Sequence, residues 1–124
     1  MIVLNVAYPA TEDVVRQDVA DFVRDLEKHY GQNLKGVFLF GSRARGDHDP
    51  ESDVDIAIVL EDALNLREEL RTIVDISYPY LVKHGVYIEG RPVAASAWDD
   101  PDKHRNPSFV RAIRGDAVDL QVRP

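Results

Sequence analysis

The sequence predicts a small α/β or α+β domain in which a mixed sheet is covered by helices. Three observations carry that prediction: apolar residues at helical spacing in two long segments, short runs rich in Val, Ile and Phe, and the alternation of the two kinds along the chain. At 124 residues the chain has room for one domain with a modest core, residues 1–124, and too little for two ordinary ones.

Taken in order, "TEDVVRQDVADFVRDLEKHY" places Val15, Val19, Phe22, Val23 and Leu26 at spacings of three and four, which predicts an amphipathic helix from Thr11 to Tyr30. Thr11 can cap it, Glu12 and Asp13 suit the helix dipole in the first turn, and Gly31 supplies a stop. "KGVFLFG" reads as a short buried strand, Val37 to Phe40, ended by Gly41. "DVDIAIVL" reads as a second strand, Asp53 to Leu60, with Pro50 keeping the residues before it out of the sheet. From Asp62 onward, Leu64, Leu66, Leu70, Ile73 and Val74 predict a helix that Pro79 bends or ends, so it is expected to stop near Tyr78. "GVYIEGRPVAASAW" predicts a third strand interrupted at Gly90 to Pro92. "NPSFVRAIRGD" predicts a short helix capped by Asn106 or Ser108 and stopped by Gly115.

Composition narrows the function. No apolar run approaches the roughly 18 residues that span a membrane, and "MIVLNVAYPA" lacks the basic region and long apolar stretch of a secretory signal, so a cytoplasmic location without membrane contact is expected. The absence of cysteine removes disulfides, thiol nucleophiles and thiolate metal sites. Lys and Arg number 15 against 22 Asp and Glu, a net −7 that repels a bare phosphate backbone. Direct nucleic-acid binding is therefore not expected, and handling of any polyanion calls for a divalent cation between protein and phosphate.

The informative stretch is "GSRARGDHDPESDVDIAIVL", Gly41 to Leu60. In a strand, residues two apart share a face, so Asp53 and Asp55 project together while Val54, Ile56 and Ile58 point into the apolar side. Two adjacent carboxylates repel, and a divalent cation that neutralises both makes the arrangement tolerable; the bland alternative is a solvated strand end. Asp47, Asp49 and Glu51 lie in a loop broken by Pro50 and need no such explanation. Gly41 and Ser42 sit at the exit of a buried strand, where backbone N–H groups and the Ser42 hydroxyl can take phosphate oxygens, although Ser42 as a plain helix cap would use the same groups. Arg43 and Arg45 can neutralise phosphate charge or pair with the acidic loop. His29, His48, His84 and His104 show no metal-ligand spacing, Asp99 to Phe109 reads as a polar loop, and Trp98 as a core or interface residue.

Gly-Ser, a spacer of about ten residues, and Asp-x-Asp before an apolar run together resemble the signature of the polymerase β-like nucleotidyltransferases. The "GSRARG" and "SDVD" wording and the small size are most similar to the minimal nucleotidyltransferase (MNT) proteins, and the order of elements from Thr11 to Trp98 fits their core. The resemblance implies the polymerase β-like nucleotidyltransferase fold and a mechanism with two Mg²⁺ ions held by Asp53 and Asp55. It implies transfer of a nucleoside monophosphate, with ATP as the expected donor, onto a hydroxyl. Gly41, Ser42 and Ser52 would bind the nucleotide, and Arg43 or Arg45 would neutralise its phosphates. A third carboxylate is expected from a nearby strand; Glu89 is the best candidate by position, while Asp75 falls in a predicted helix. The acceptor is expected to come from a partner or a homo-oligomer, and the MNT likeness implies a tyrosine of a HEPN-type toxin with this chain as antitoxin. Two other readings stand beside it: a binding module that silences a partner by occlusion, and a small-molecule nucleotidyltransferase of the aminoglycoside type.

Overall fold

A computed structural model describes residues 8–62 and 65–122. Helix α1 spans Glu12–Tyr30, with Thr11 Oγ1 accepting from the Val14 amide at 3.2 Å and Gly31 ending it, as the sequence predicts. Its apolar stripe buries Val15, Phe22, Val23 and Leu26. Strand β1, Leu34–Phe40, starts earlier than predicted because Leu34 is also buried and pairs with Leu60. After Gly41 comes a single helical turn, α2 at Ser42–Arg45, then a polar loop and strand β2 at Val54–Leu60. β2 lies antiparallel to β1, Leu39 facing Ile56 and Phe40 facing Asp55.

Helix α3 spans Leu66–His84, capped by Asn65, whose side chain accepts from the Glu68 amide at 3.2 Å. The predicted contribution of Leu64 lies outside the described residues. The expected stop near Tyr78 is not observed: the helix runs through Pro79. The hydrogen bond that Pro79 cannot make would go to the Asp75 carbonyl, and both residues are exposed, so water can replace it.

Strand β3, Ile88–Ala94, is parallel to β2 and uninterrupted, contrary to the break expected at Gly90 to Pro92. The sheet order β3-β2-β1-β4 puts β3 at an edge, where the missing N–H of Pro92 is tolerated. Gly90 is needed for packing: a Cβ there would stand 2.4 Å from Ile73 Cγ2, so glycine lets α3 lie close on the sheet. Helix α4, Ala95–Asp99, replaces the end of the expected third strand, a short turn at Pro101–Lys103 lies in the expected loop, and helix α5, Pro107–Asp116, is the short helix that the sequence predicts. Asn106 caps α5 as expected, but the helix passes Gly115 to Asp116, whose carboxylate is tied to Arg45 at 2.9 Å. Strand β4, Val118–Asp119, joins β1 antiparallel; at two residues it leaves no period in the sequence.

The sheet separates two apolar layers. On one face Val37, Val54, Ile56, Ile58 and Ile88 join Phe22, Leu26 and Ile73 of α1 and α3 in one cluster. On the other, Ala57, Val59 and Val93 are buried together with Ala97, Val110 and Ile113 of α4 and α5, which lie against β1, β2 and β3. Trp98 stacks on Phe38 of that second face, ring centroids 4.7 Å apart and planes at 16°. Among the described residues no helix is long and apolar enough to cross a membrane.

Candidate active site

The second face of the sheet is the one that carries charge. Register places Phe40, Asp55 and Glu89 side by side across β1, β2 and β3, and Phe38, Ala57 and Arg91 in the next row. Neighbours in such a row project to the same face. The alternation read from the sequence is thus observed: Val54, Ile56 and Ile58 are buried in the α1/α3 layer while Asp55 turns away from it. Asp53 stands one residue before β2 and is exposed. Asp75 is exposed on α3, which packs on the opposite face, so Glu89 and not Asp75 adjoins Asp55.

Gly41 brings the turn and the carboxylates together. Its φ of 76° is one that side-chain-bearing residues rarely adopt, and a Cβ on it would stand 2.4 Å from Asp55 Oδ2. The Gly41 carbonyl accepts from the amides of Ala44 and Arg45, both at 3.1 Å, which folds Ser42 into the first position of α2 with no side chain capping the turn. The Gly-Ser turn therefore abuts the carboxylate row, with nothing larger than hydrogen between the Gly41 backbone and Asp55.

Burial, the neighbouring charges of Glu89 and Asp53, and a hydrogen bond with Glu89 push Asp55 up to about 6, with Arg91 acting in the opposite direction. Glu89 is turned to Arg91, whose Nη2 donates to Oε1 at 2.6 Å, and the Arg91 guanidinium lies 6.0 Å from the centroid of the Phe109 ring. Among the described residues no three His, Cys, Asp or Glu side chains are already converged as a metal cage. The donor set nevertheless suits a hard divalent cation: Asp55 and Glu89 adjoin across β2 and β3, Asp53 precedes Asp55 by two residues, and burial with their mutual repulsion raises Asp55, a repulsion that a cation would relieve.

The arginines of the motif are engaged elsewhere. Arg43 is nearly buried; its Nε donates to the Ser52 carbonyl at 3.1 Å, Nη1 to Glu12 Oε1 at 3.1 Å and Nη2 to the Pro50 carbonyl at 3.4 Å. It ties the loop before β2 to the start of α1. Arg45 is exposed and pairs with Asp47 at 3.1 Å and Asp116 at 2.9 Å. The Ser52 hydroxyl accepts from the Asp49 amide at 3.0 Å and fixes a turn that delivers Asp53 to the sheet. Asp47, Asp49 and Glu51 are exposed, as the sequence predicts. The histidines are dispersed: His48 meets Glu12 at 3.1 Å, His84 meets buried Asp18 at 2.8 Å, and His104 accepts from the Asn106 amide.

Two features escaped the sequence reading. Arg91 and Phe109 both stand at the carboxylate row; the i, i+2 relation of Glu89 and Arg91 in a strand was a usable signal, while Phe109 arrives from α5 and left none. At the β3 edge lies an apolar groove of about 310 Å³ between α3 and β3, lined by Leu70, Val74, Tyr78, Leu81 and Tyr87, with Glu89 and Arg91 also in its lining.

Known proteins share this framework. The chain is 37% identical over 70 residues to each of two Methanocaldococcus jannaschii proteins named "Putative protein adenylyltransferase", the matches covering 56% of this chain and 70% and 64% of theirs. For the second of the two the match thus spans a little under two thirds of its length. A Sulfolobus solfataricus crystal structure described as a "putative nucleotidyltransferase" superposes with a TM-score of 0.55 at 19% identity, over 98% of this chain and 94% of that one. A toxin–antitoxin crystal structure with AMP-PNP gives 0.51 at 16% identity, over 84% and 73%. At such identities the two structures attest the fold. The nucleotidyltransferase domain model matches residues 17–123, taking in the Gly-Ser turn, Asp53, Asp55 and Glu89. The chain belongs to the nucleotidyltransferase domain family.

Proposed function

We propose that this nucleotidyltransferase domain moves AMP from ATP to a hydroxyl of a partner protein, a tyrosine of a HEPN-type toxin, and so acts as an antitoxin. The observation that carries the reading is the contact of Gly41 with Asp55 inside the row Phe40, Asp55, Glu89. It sets the Gly-Ser turn against carboxylates on one face of the sheet. Asp53, Asp55 and Glu89 would hold two Mg²⁺ ions, which when bound neutralise the triphosphate and the departing pyrophosphate. The turn at Gly41 and Ser42 receives the terminal phosphates, and Ser52 and Arg43 fix the loop that presents Asp53. The acceptor oxygen attacks the α-phosphorus, the bond to the bridging oxygen of the β-phosphate breaks, and pyrophosphate leaves. Glu89 would take the hydroxyl proton as the acceptor oxygen attacks. The groove that Glu89 helps to line would give an acceptor side chain a way in.

The adenylyltransferase names of the two M. jannaschii relatives support AMP as the transferred group, and the toxin–antitoxin neighbour supports a protein partner. One observation favours a second reading, in which the domain silences its partner by occlusion alone: the pairing of Glu89 with Arg91 leaves the third carboxylate occupied. Incubation with Mg²⁺ and the product of the neighbouring open reading frame separates the two, using α-labelled and γ-labelled ATP in parallel. Transfer of the α label with the γ label recovered in pyrophosphate supports the enzyme. Silencing of the partner with neither label transferred supports occlusion.

A further inference from the structure

Arg91 shares a strand face with Glu89, donates to it at 2.6 Å, and stands over the Phe109 ring. Among the described residues acting on the Asp55 carboxyl, it is the cation that offsets the negative charge collected there. The pair is about half exposed, 48% for Arg91 and 33% for Glu89, so water competes with it and it opens at little cost. A guanidinium fork fits a carboxylate and a phosphate equally well.

We propose that Arg91 is a resident counter-ion that competes with the divalent cation for Glu89 and thereby couples cation entry to nucleotide entry. Glu89 reaches the cation only when its pair with Arg91 opens. The freed guanidinium, still carried on the Phe109 ring, then takes a phosphate oxygen of the nucleotide in exchange for the carboxylate. Without nucleotide there is no replacement anion and the pair stays closed. Arg91 is in this sense a positioning residue for Glu89. The inference rests on the reading of Asp53, Asp55 and Glu89 as the cation's ligands.

The test uses Mn²⁺ alone, titrated by electron paramagnetic resonance into the wild type, Arg91→Gln, Glu89→Gln and the double variant, after thermal unfolding has shown each to be folded. Without nucleotide, Arg91→Gln should bind Mn²⁺ about three- to fivefold more tightly than the wild type. That gain should shrink in the Glu89→Gln background, where there is no pair to break. Arg91→Lys, which keeps the charge and loses the fork, should fall between. With a non-hydrolysable ATP analogue added, Mn²⁺ affinity should rise more in the wild type than in Arg91→Gln. Unchanged or weaker Mn²⁺ binding by Arg91→Gln overturns the proposal, as does an equal gain with and without Glu89, which would mark a general field effect. If Mn²⁺ binding is absent, or indifferent to Asp53→Asn, the carboxylate reading itself fails and the proposal falls with it.

Discussion

Gly41 and Asp55 are in contact through the one position in the Gly-Ser turn where no side chain fits: a Cβ on Gly41 would lie 2.4 Å from Asp55 Oδ2. The Gly-Ser turn and the carboxylate row are therefore a single unit, set by the pairing of Phe40 with Asp55. Gly41→Ala should destabilise the protein by about 1–2 kcal/mol through its backbone angle. It should weaken ATP binding in Mg²⁺ by tenfold or more, because Asp55 must move. Calorimetric titration beside thermal unfolding checks both; unaltered affinity would show that the contact is incidental.

Asp55 makes stability depend on pH in the unusual direction for a carboxylate. Its folded value, about 6, lies above the ordinary 3.8, so the folded state holds the proton more tightly than the unfolded chain. Its stabilising contribution is complete below about pH 4 and is lost as pH rises through about 6. In the cation-free protein Asp55→Asn should therefore raise stability at about pH 7.5, by roughly 1 kcal/mol once partial exposure is allowed for, and change little near pH 4. Denaturant titrations at the two pH values test this. Divalent-cation affinity should fall as pH drops below about 6, since the proton on Asp55 must leave.

The two motif arginines should behave differently. Arg43 is nearly buried and donates to two backbone carbonyls and Glu12, so Arg43→Met strands acceptors and should cost about 1–3 kcal/mol. Arg45 is exposed in its two pairs, and Arg45→Met should cost less than about 1 kcal/mol. Urea unfolding of the two variants measures the contrast; equal losses would remove the clamp assigned to Arg43.

Much of this was legible in residue order. Thr11, the three-and-four spacing after it and the alternation of Asp55 with Val54, Ile56 and Ile58 are local signals, and the structure realises each. The misplaced boundaries share a cause in tertiary context. Pro79 is tolerated because its side of α3 faces water, Pro92 because β3 ends up at an edge, and Gly90 reads as a break until Ile73 is seen packed on it. The site divides in the same way. Glu89 beside Asp55 could be anticipated only by position, since a parallel register over an intervening helix leaves no sequence mark, and Phe109 reaches Arg91 from an element far along the chain.

The central claim is that nucleotidyl transfer to a protein hydroxyl takes place at the carboxylate row. Its most direct test is the intact mass of the neighbouring-gene product after incubation with this protein, ATP and Mg²⁺, compared with the Asp53→Asn, Asp55→Asn double variant. The account predicts a gain of AMP on the partner, mapped to a tyrosine, that disappears with the double variant. A partner of unchanged mass, silenced equally by wild type and double variant, would contradict it.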